Sequence, residues 1–98
     1  MRHSCSFTVG PDHPSLPGHF PGNPVVPGVL ILEEVMRTVA GRNVRAVWSK
    51  VKFIGPVFPG ERVDVHWDPL PGKVRFECRV SARVVAMGTF ERMMDKMA

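Results

Sequence analysis

His19-Phe20-Pro21-Gly22-Asn23-Pro24-Val25-Val26-Pro27-Gly28-Val29-Leu30-Ile31-Leu32-Glu33 is a proline-locked segment that runs directly into a predicted helix, and this junction decides the fold. Six of the ten prolines (Pro11, Pro14, Pro17, Pro21, Pro24 and Pro27) fall within residues 11–28, together with Gly18, Gly22 and Gly28. Proline fixes φ and removes a donor, and glycine permits tight turns, so the segment suits neither a helix nor an inner strand. Flexible linkers are usually rich in Ser, Gln or charge. This one holds Leu16, His19, Phe20, Val25 and Val26. Apolar residues pinned in a stiff segment predict a packed, shaped loop, the kind of place where sites are built.

The helix is predicted over residues 29–40. At about 100° per residue, Ile31, Val35, Val39, Leu32, Met36, Val29 and Ala40 form one wide apolar arc. Glu34 and Thr38 are expected to face away, and Leu30 stands outside the arc. Gly41 supplies the stop. Glu33 lies at the edge of the arc, beside Val29 and Ala40. No Ser, Thr, Asp or Asn stands at the N-cap; Pro27 and Gly28 occupy that place. The first N–H groups therefore need water, a distant side chain or a ligand oxygen.

Beyond the helix the apolar period changes to two. Residues 44–54 read as a strand with Val47, Val51 and Phe53 on one face and Lys50 and Lys52 on the other. Residues 56–60 are a turn. In residues 61–67, Val63, Val65 and Trp67 alternate with Arg62, Asp64 and His66. Residues 69–73 form another turn around Pro71-Gly72, and residues 74–80 alternate Val74, Phe76, Cys78 and Val80 with Arg75, Glu77 and Arg79. Residues 83–93 make a last strand and residues 6–9 a short first one. The expected fold is α+β, an antiparallel sheet with one helix packed on it, in a single domain over residues 1–98.

Composition sets the outer bounds. The chain has 98 residues, 44% hydrophobic and 22% charged, ordinary values for a globular domain. Its longest uncharged apolar run, residues 25–32, is too short for a membrane span, and no signal peptide is expected at residues 1–6. Cys5 and Cys78 are too few for a disulfide scaffold, which points to a reducing cytoplasm. The net charge of +4 comes from 13 Lys and Arg against 9 Asp and Glu. The basic residues are scattered and no nucleic-acid motif accompanies them, so neither nucleic acid nor membrane is an expected partner.

Four histidines could carry chemistry. His3 and His66 read as solvated, and His13 as structural or a neighbour of a site. His19, between Gly18 and Phe20 and held among prolines, is the candidate. No His, Cys or Asp spacing suits a metal, no serine has a nucleophile elbow, and no phosphate loop appears.

The quoted stretch strongly resembles the active-site motif of the FabZ-type (3R)-hydroxyacyl-acyl carrier protein dehydratases: His-Phe-Pro-Gly, any residue, Pro, two apolar residues, Pro-Gly-Val, then Glu at this same distance. The resemblance continues more weakly through Lys52-Phe53, Pro56-Val57, Pro59-Gly60-Glu61 and residues 84–91. It implies the hot-dog fold, an antiparallel sheet wrapped around one central helix. It also implies a catalytic pair, His19 and Glu33, with Gly28, Phe20, Pro27 and Val29 as substrate-binding positions. His19 would take the C2 proton of a 3-hydroxyacyl thioester and Glu33 would protonate the departing hydroxyl. The helix start at Gly28 would stabilise the thioester oxygen.

No cofactor or metal is implied. Acyl carrier protein is the implied partner, with a homodimer, or a heterodimer with another hot-dog subunit, in which His and Glu meet across the interface. Two departures mark a shortened branch, similar to the dehydratases of aryl polyene synthesis. The usual N-terminal helix and strand region is largely missing, and Arg37 stands where the family has Gln. An i,i+4 pair of Glu33 with Arg37 is the plain alternative to an acid role and, if buried, would favour the ionised carboxylate; otherwise Arg37 points to solvent or to a carrier-protein phosphate. A non-catalytic or auxiliary hot-dog subunit and an acyl thioesterase are the alternative readings.

Overall fold

The computed structural model describes residues 3–10, 25–41 and 44–94. Within them the elements run β1 (His3–Thr8), α1 (Gly28–Val39), β2 (Val44–Phe53), β3 (Arg62–Leu70), β4 (Lys73–Val80) and β5 (Arg83–Met94). The strands form one sheet in the order β1-β3-β4-β5-β2, antiparallel throughout. β1 and β2, consecutive strands separated by the helix, thus lie on opposite edges. Cα atoms of α1 come within 8 Å of both edge strands, so the sheet curls around the helix.

The period-two alternation in β3 and β4 does what it predicts. Val63, Val65, Val74, Phe76, Cys78 and Val80 are buried, while Arg62 and Arg75 are exposed. Leu30, Ile31 and Val35 of α1 close the core against these strands and Phe90 of β5. Trp48 packs edge-on against Phe76, with ring centroids 5.6 Å apart, and tilted against Phe90 at 5.0 Å. Phe76 and Phe90 are fully buried, each contributing roughly 1.5–3 kcal/mol through apolar area removed from water.

Several expectations need correction. β1 begins at His3 rather than residue 6, because its whole length pairs with β3 from His3↔Trp67 to Thr8↔Arg62. Its outward residues Ser4, Ser6 and Thr8 carry no apolar signal, and the His3 ring is stacked on Trp67 at 4.4 Å rather than simply solvated. β3 continues through Pro69 to Leu70, narrowing the turn to Pro71-Gly72, where Gly72 takes φ +74. Among the described residues Pro69 lies past His3↔Trp67, where β1 offers it no partner, so no ladder bond to that side is lost there.

In β2 the expected common face of Val47, Val51 and Phe53 is broken. Ser49 pairs with Thr89 and Lys52 with Met87, so Lys50 and Val51 together oppose Gly88. This bulge, with Lys50 at φ +54, inserts one residue and reverses the alternation. Ala46 and Trp48 therefore pack inward before it and Val51 after it, while Val47 is 49% exposed. Gly88 makes the bulge possible: a Cβ there would lie 3.0 Å from the Val51 Cα and 3.2 Å from the Phe76 ring.

The helix buries a different stripe from the one its apolar arc suggests. Leu30 is only 4% exposed, whereas Val29 is 66% exposed. Glu34 does not face away either; its side chain is 16% exposed. The apolar arc is wider than the sheet can cover, and the sheet takes the Leu30–Ile31–Val35 side. Val29, Leu32 and Met36 are left to line an open groove.

Candidate active site at the helix N-terminus

The site is organised by how α1 begins. Pro27 is the N-cap residue, extended at φ −61 and ψ 145, and no side chain caps the helix. The Leu30 and Ile31 N–H groups both donate to the Pro27 carbonyl, at 3.0 and 3.2 Å. Among the described residues the Gly28 and Val29 N–H groups find no acceptor. They stand at the positive end of the helix dipole, as the missing cap predicts.

The Phe53 ring covers this end. A Cβ on Gly28 would lie 2.7 Å from the ring's Cζ, so any residue but glycine would have to displace the ring. Phe53 is nonetheless 52% exposed, because its other side borders an open cavity of about 650 Å³. Pro27, Gly28, Val29, Phe53, Pro56 and Val57 supply most of its wall.

The wall is braced from below. The Val26 N–H donates to the Val57 carbonyl at 2.7 Å, tying the chain before the helix to the loop after β2. Arg83 Nη1 donates to the Pro56 carbonyl at 2.8 Å while Nη2 pairs with Glu61 Oε2 at 3.1 Å. Glu61 Oε1 in turn accepts from the Phe58 N–H at 2.8 Å. One ion pair thus fixes the loop of Pro56-Val57-Phe58-Pro59-Gly60-Glu61 against the cavity.

A second groove, about 480 Å³, runs along the outward face of α1. Val29 lines both spaces. Glu33, one turn further on, opens into this groove beside Leu32, Met36 and Trp48. Five residues separate Gly28 from Glu33, about 7.5 Å along the axis. Of the candidate positions, Pro27, Gly28 and Val29 meet in the first cavity and Glu33 lies in the adjoining groove. His19 and Phe20 fall outside the described residues, as does His13.

Of the alternatives left open for Arg37, the pair with Glu33 does not form. Arg37 binds Glu34 instead, through Nε to Oε2 at 3.3 Å and Nη2 to Oε1 at 2.5 Å. That hydrogen bond and the Glu34 charge push the Arg37 guanidinium still higher than its ordinary value. Two further residues were not anticipated as part of the site: Phe53, which the resemblance matched without a role, and Glu34.

The family described as ApeI-like, ApeI dehydratase, matches residues 1–89. The chain belongs to this ApeI-like family. A 3-hydroxyacyl-[acyl-carrier-protein] dehydratase FabZ of Methylobacterium radiotolerans is 33% identical over 88% of the chain and 66% of that protein. The FabZ of Bartonella henselae is 32% identical over 82% of the chain and 61% of that protein. The chain thus spans somewhat less than two thirds of the length of these relatives.

Among solved structures, the dehydratase heterocomplex ApeI:P from Xenorhabdus doucetiae matches with a TM-score of 0.74 at 21% identity, over 93% of this chain and 86% of that one. The fluoroacetyl-CoA thioesterase FlK matches with a TM-score of 0.64 at 16% identity, covering 97% and 85%. The sheet curled around one helix is the hot-dog fold, as the resemblance implied. Among the described residues no helix of this ApeI-like chain is long and apolar enough to cross a membrane.

Proposed function

We propose that this ApeI-like protein is a hydro-lyase that converts a (3R)-3-hydroxyacyl group on acyl carrier protein to the trans-2-enoyl thioester. The observation that carries this reading is the uncapped start of α1 at Gly28, which opens under Phe53 into a largely apolar cavity adjoining Glu33. A thioester oxygen placed there would accept the unpaired N–H, and the dipole would stabilise the charge it gains as C2 is deprotonated. His19 takes the C2 proton, the C2 electron pair forms the double bond, and the C3–O bond breaks. Glu33 gives its proton to the departing hydroxyl, which leaves as water. Acid, base and helix terminus suffice for this chemistry without a cofactor.

Glu33 is exposed in the single chain. A second hot-dog subunit laid over the groove would desolvate it and favour its protonated form. That subunit is a second copy or a different hot-dog chain, and each site would take His19 from one protomer and Glu33 from the other. The setting would be the cytoplasm, in fatty-acid or polyene-type synthesis.

Two other readings have specific support. The ApeI:P neighbour is a heterocomplex, which suits an auxiliary subunit, and FlK is a thioesterase. One assay separates the three. Purified protein given a 3-hydroxyacyl thioester should produce the ultraviolet band of a conjugated enoyl product. Release of free thiol would favour the thioesterase, and inactivity until a partner chain is added would favour the auxiliary role.

A further inference from the structure

Arg37 lies within helical reach of two carboxylates, four residues from Glu33 and three from Glu34. It takes Glu34, and burial explains the choice. Glu34 lies on the sheet side of α1 with its side chain 16% exposed, where an unpaired carboxylate is costly. Glu33 is exposed and solvated by water. Thr38 offers Glu34 no substitute, because its hydroxyl donates to the Glu34 backbone carbonyl at 2.8 Å. Among the described residues the Glu34 carboxylate therefore depends on Arg37.

The surroundings of Glu33 give this pairing its consequence. Val29, Leu32 and Met36 border it on α1, and Gly41, Ala46 and Trp48 complete the groove. Among the described residues Arg37 is the only charged neighbour from any element that lines this groove. We infer that Glu34 is a positioning residue for Glu33: by holding Arg37 it keeps a cation away from the carboxyl that must carry a proton. The inference rests on the proposed acid role of Glu33 and adds a residue to it. An ion pair with Arg37 would favour the charged form of Glu33, and Glu34 prevents that pair.

The test is the carboxyl ¹³C titration of Glu33, with dehydration measured alongside. In Glu34→Gln, Arg37 is free to turn to Glu33, and that pairing should lower the Glu33 midpoint by about 0.15–0.4 units. The protonated fraction, and with it kcat, should fall about 1.4- to 2.5-fold. Loss of the Glu34 charge also acts on Glu33 directly, but that effect is the same whether or not Arg37 is present. The same change made in Arg37→Gln should therefore give a smaller shift, and the double variant should regain kcat.

No shift, or a shift of the same size in both backgrounds, overturns the inference. Should Glu34→Gln fail to fold, the wild-type Arg37 Nε resonance decides: it should follow the titration of Glu34 and be unmoved by Glu33→Gln. An Nε resonance that follows Glu33 overturns the inference. The titration needs no turnover. Shifts as stated without any dehydration would defeat the acid reading of Glu33, and the positioning role with it; dehydration without the shifts would defeat the positioning role alone.

Discussion

The Phe53 ring occupies the space a side chain on Gly28 would need, and a Cβ there would approach its Cζ to 2.7 Å. Twenty-five residues apart in sequence, the two meet because β2 ends where α1 begins. Gly28 has no left-handed φ to maintain. Its need for glycine is therefore one of space alone.

Gly28→Ala should accordingly separate stability from activity. The half-exposed ring can swing aside, so urea melts should show a change below about 1 kcal/mol. The displaced ring and the new methyl would crowd the N–H groups proposed to bind the thioester, and kcat/KM should drop at least tenfold. Gly28→Ala/Phe53→Ala should recover part of that loss. Full activity in Gly28→Ala would show that the acyl group does not approach the helix start.

Leu30 and Val29 should behave in opposite ways, although both are apolar helix residues. Leu30→Ala removes a buried side chain and should cost about 2–5 kcal/mol. Val29→Ser changes an exposed residue and should cost the isolated protomer less than about 0.5 kcal/mol. Equilibrium denaturation of both variants checks this.

That pair also shows what the sequence could reveal. The clean alternation in β3 and β4 made their inner faces legible, because each residue type matched its side of the sheet. On α1 the apolar arc spanned roughly half the helix, and periodicity cannot say which part of so wide an arc a sheet will cover. In β2 the bulge at Lys50 reversed a phase that reads as continuous in sequence, and its cause, Gly88, lies on another strand. The uncapped helix start was legible because it is a local property of Pro27-Gly28. The Phe53 contact was not, because it depends on how β2 returns. Spacing alone also left Arg37 free to choose between Glu33 and Glu34, and the choice was settled by burial.

Cys78 should impose a pH dependence on stability. Burial, more than the nearby Cys5 and Glu77, pushes its thiol up from 9.0 to about 12. The folded chain keeps this proton when the unfolded chain has lost it, so unfolding releases a proton between those values. Stability should therefore decline as pH rises from about 9 toward 12, by up to about 1.4 kcal/mol per pH unit for this group. Cys78→Ala should be less stable at pH 7 but should show a shallower decline, read from urea melts across that range. An identical slope in both proteins would remove Cys78 as the cause.

Complementation tests the shared site. His19→Ala and Glu33→Gln chains, each inactive alone, would be mixed and allowed to exchange. In a two-fold dimer half of the assemblies are mixed and each holds one intact site, so activity should return to about one quarter of wild type. No recovery despite demonstrated exchange would place both residues in the same chain's site.

The most direct measurement is the rate of enoyl product formation from a (3R)-3-hydroxyacyl carrier protein by wild type, His19→Ala and Glu33→Gln. The wild type should form the conjugated product, and each variant should lose at least about a hundredfold in kcat while retaining the wild-type unfolding midpoint to within a few degrees. A His19→Ala protein that dehydrates the substrate at the wild-type rate would contradict the account.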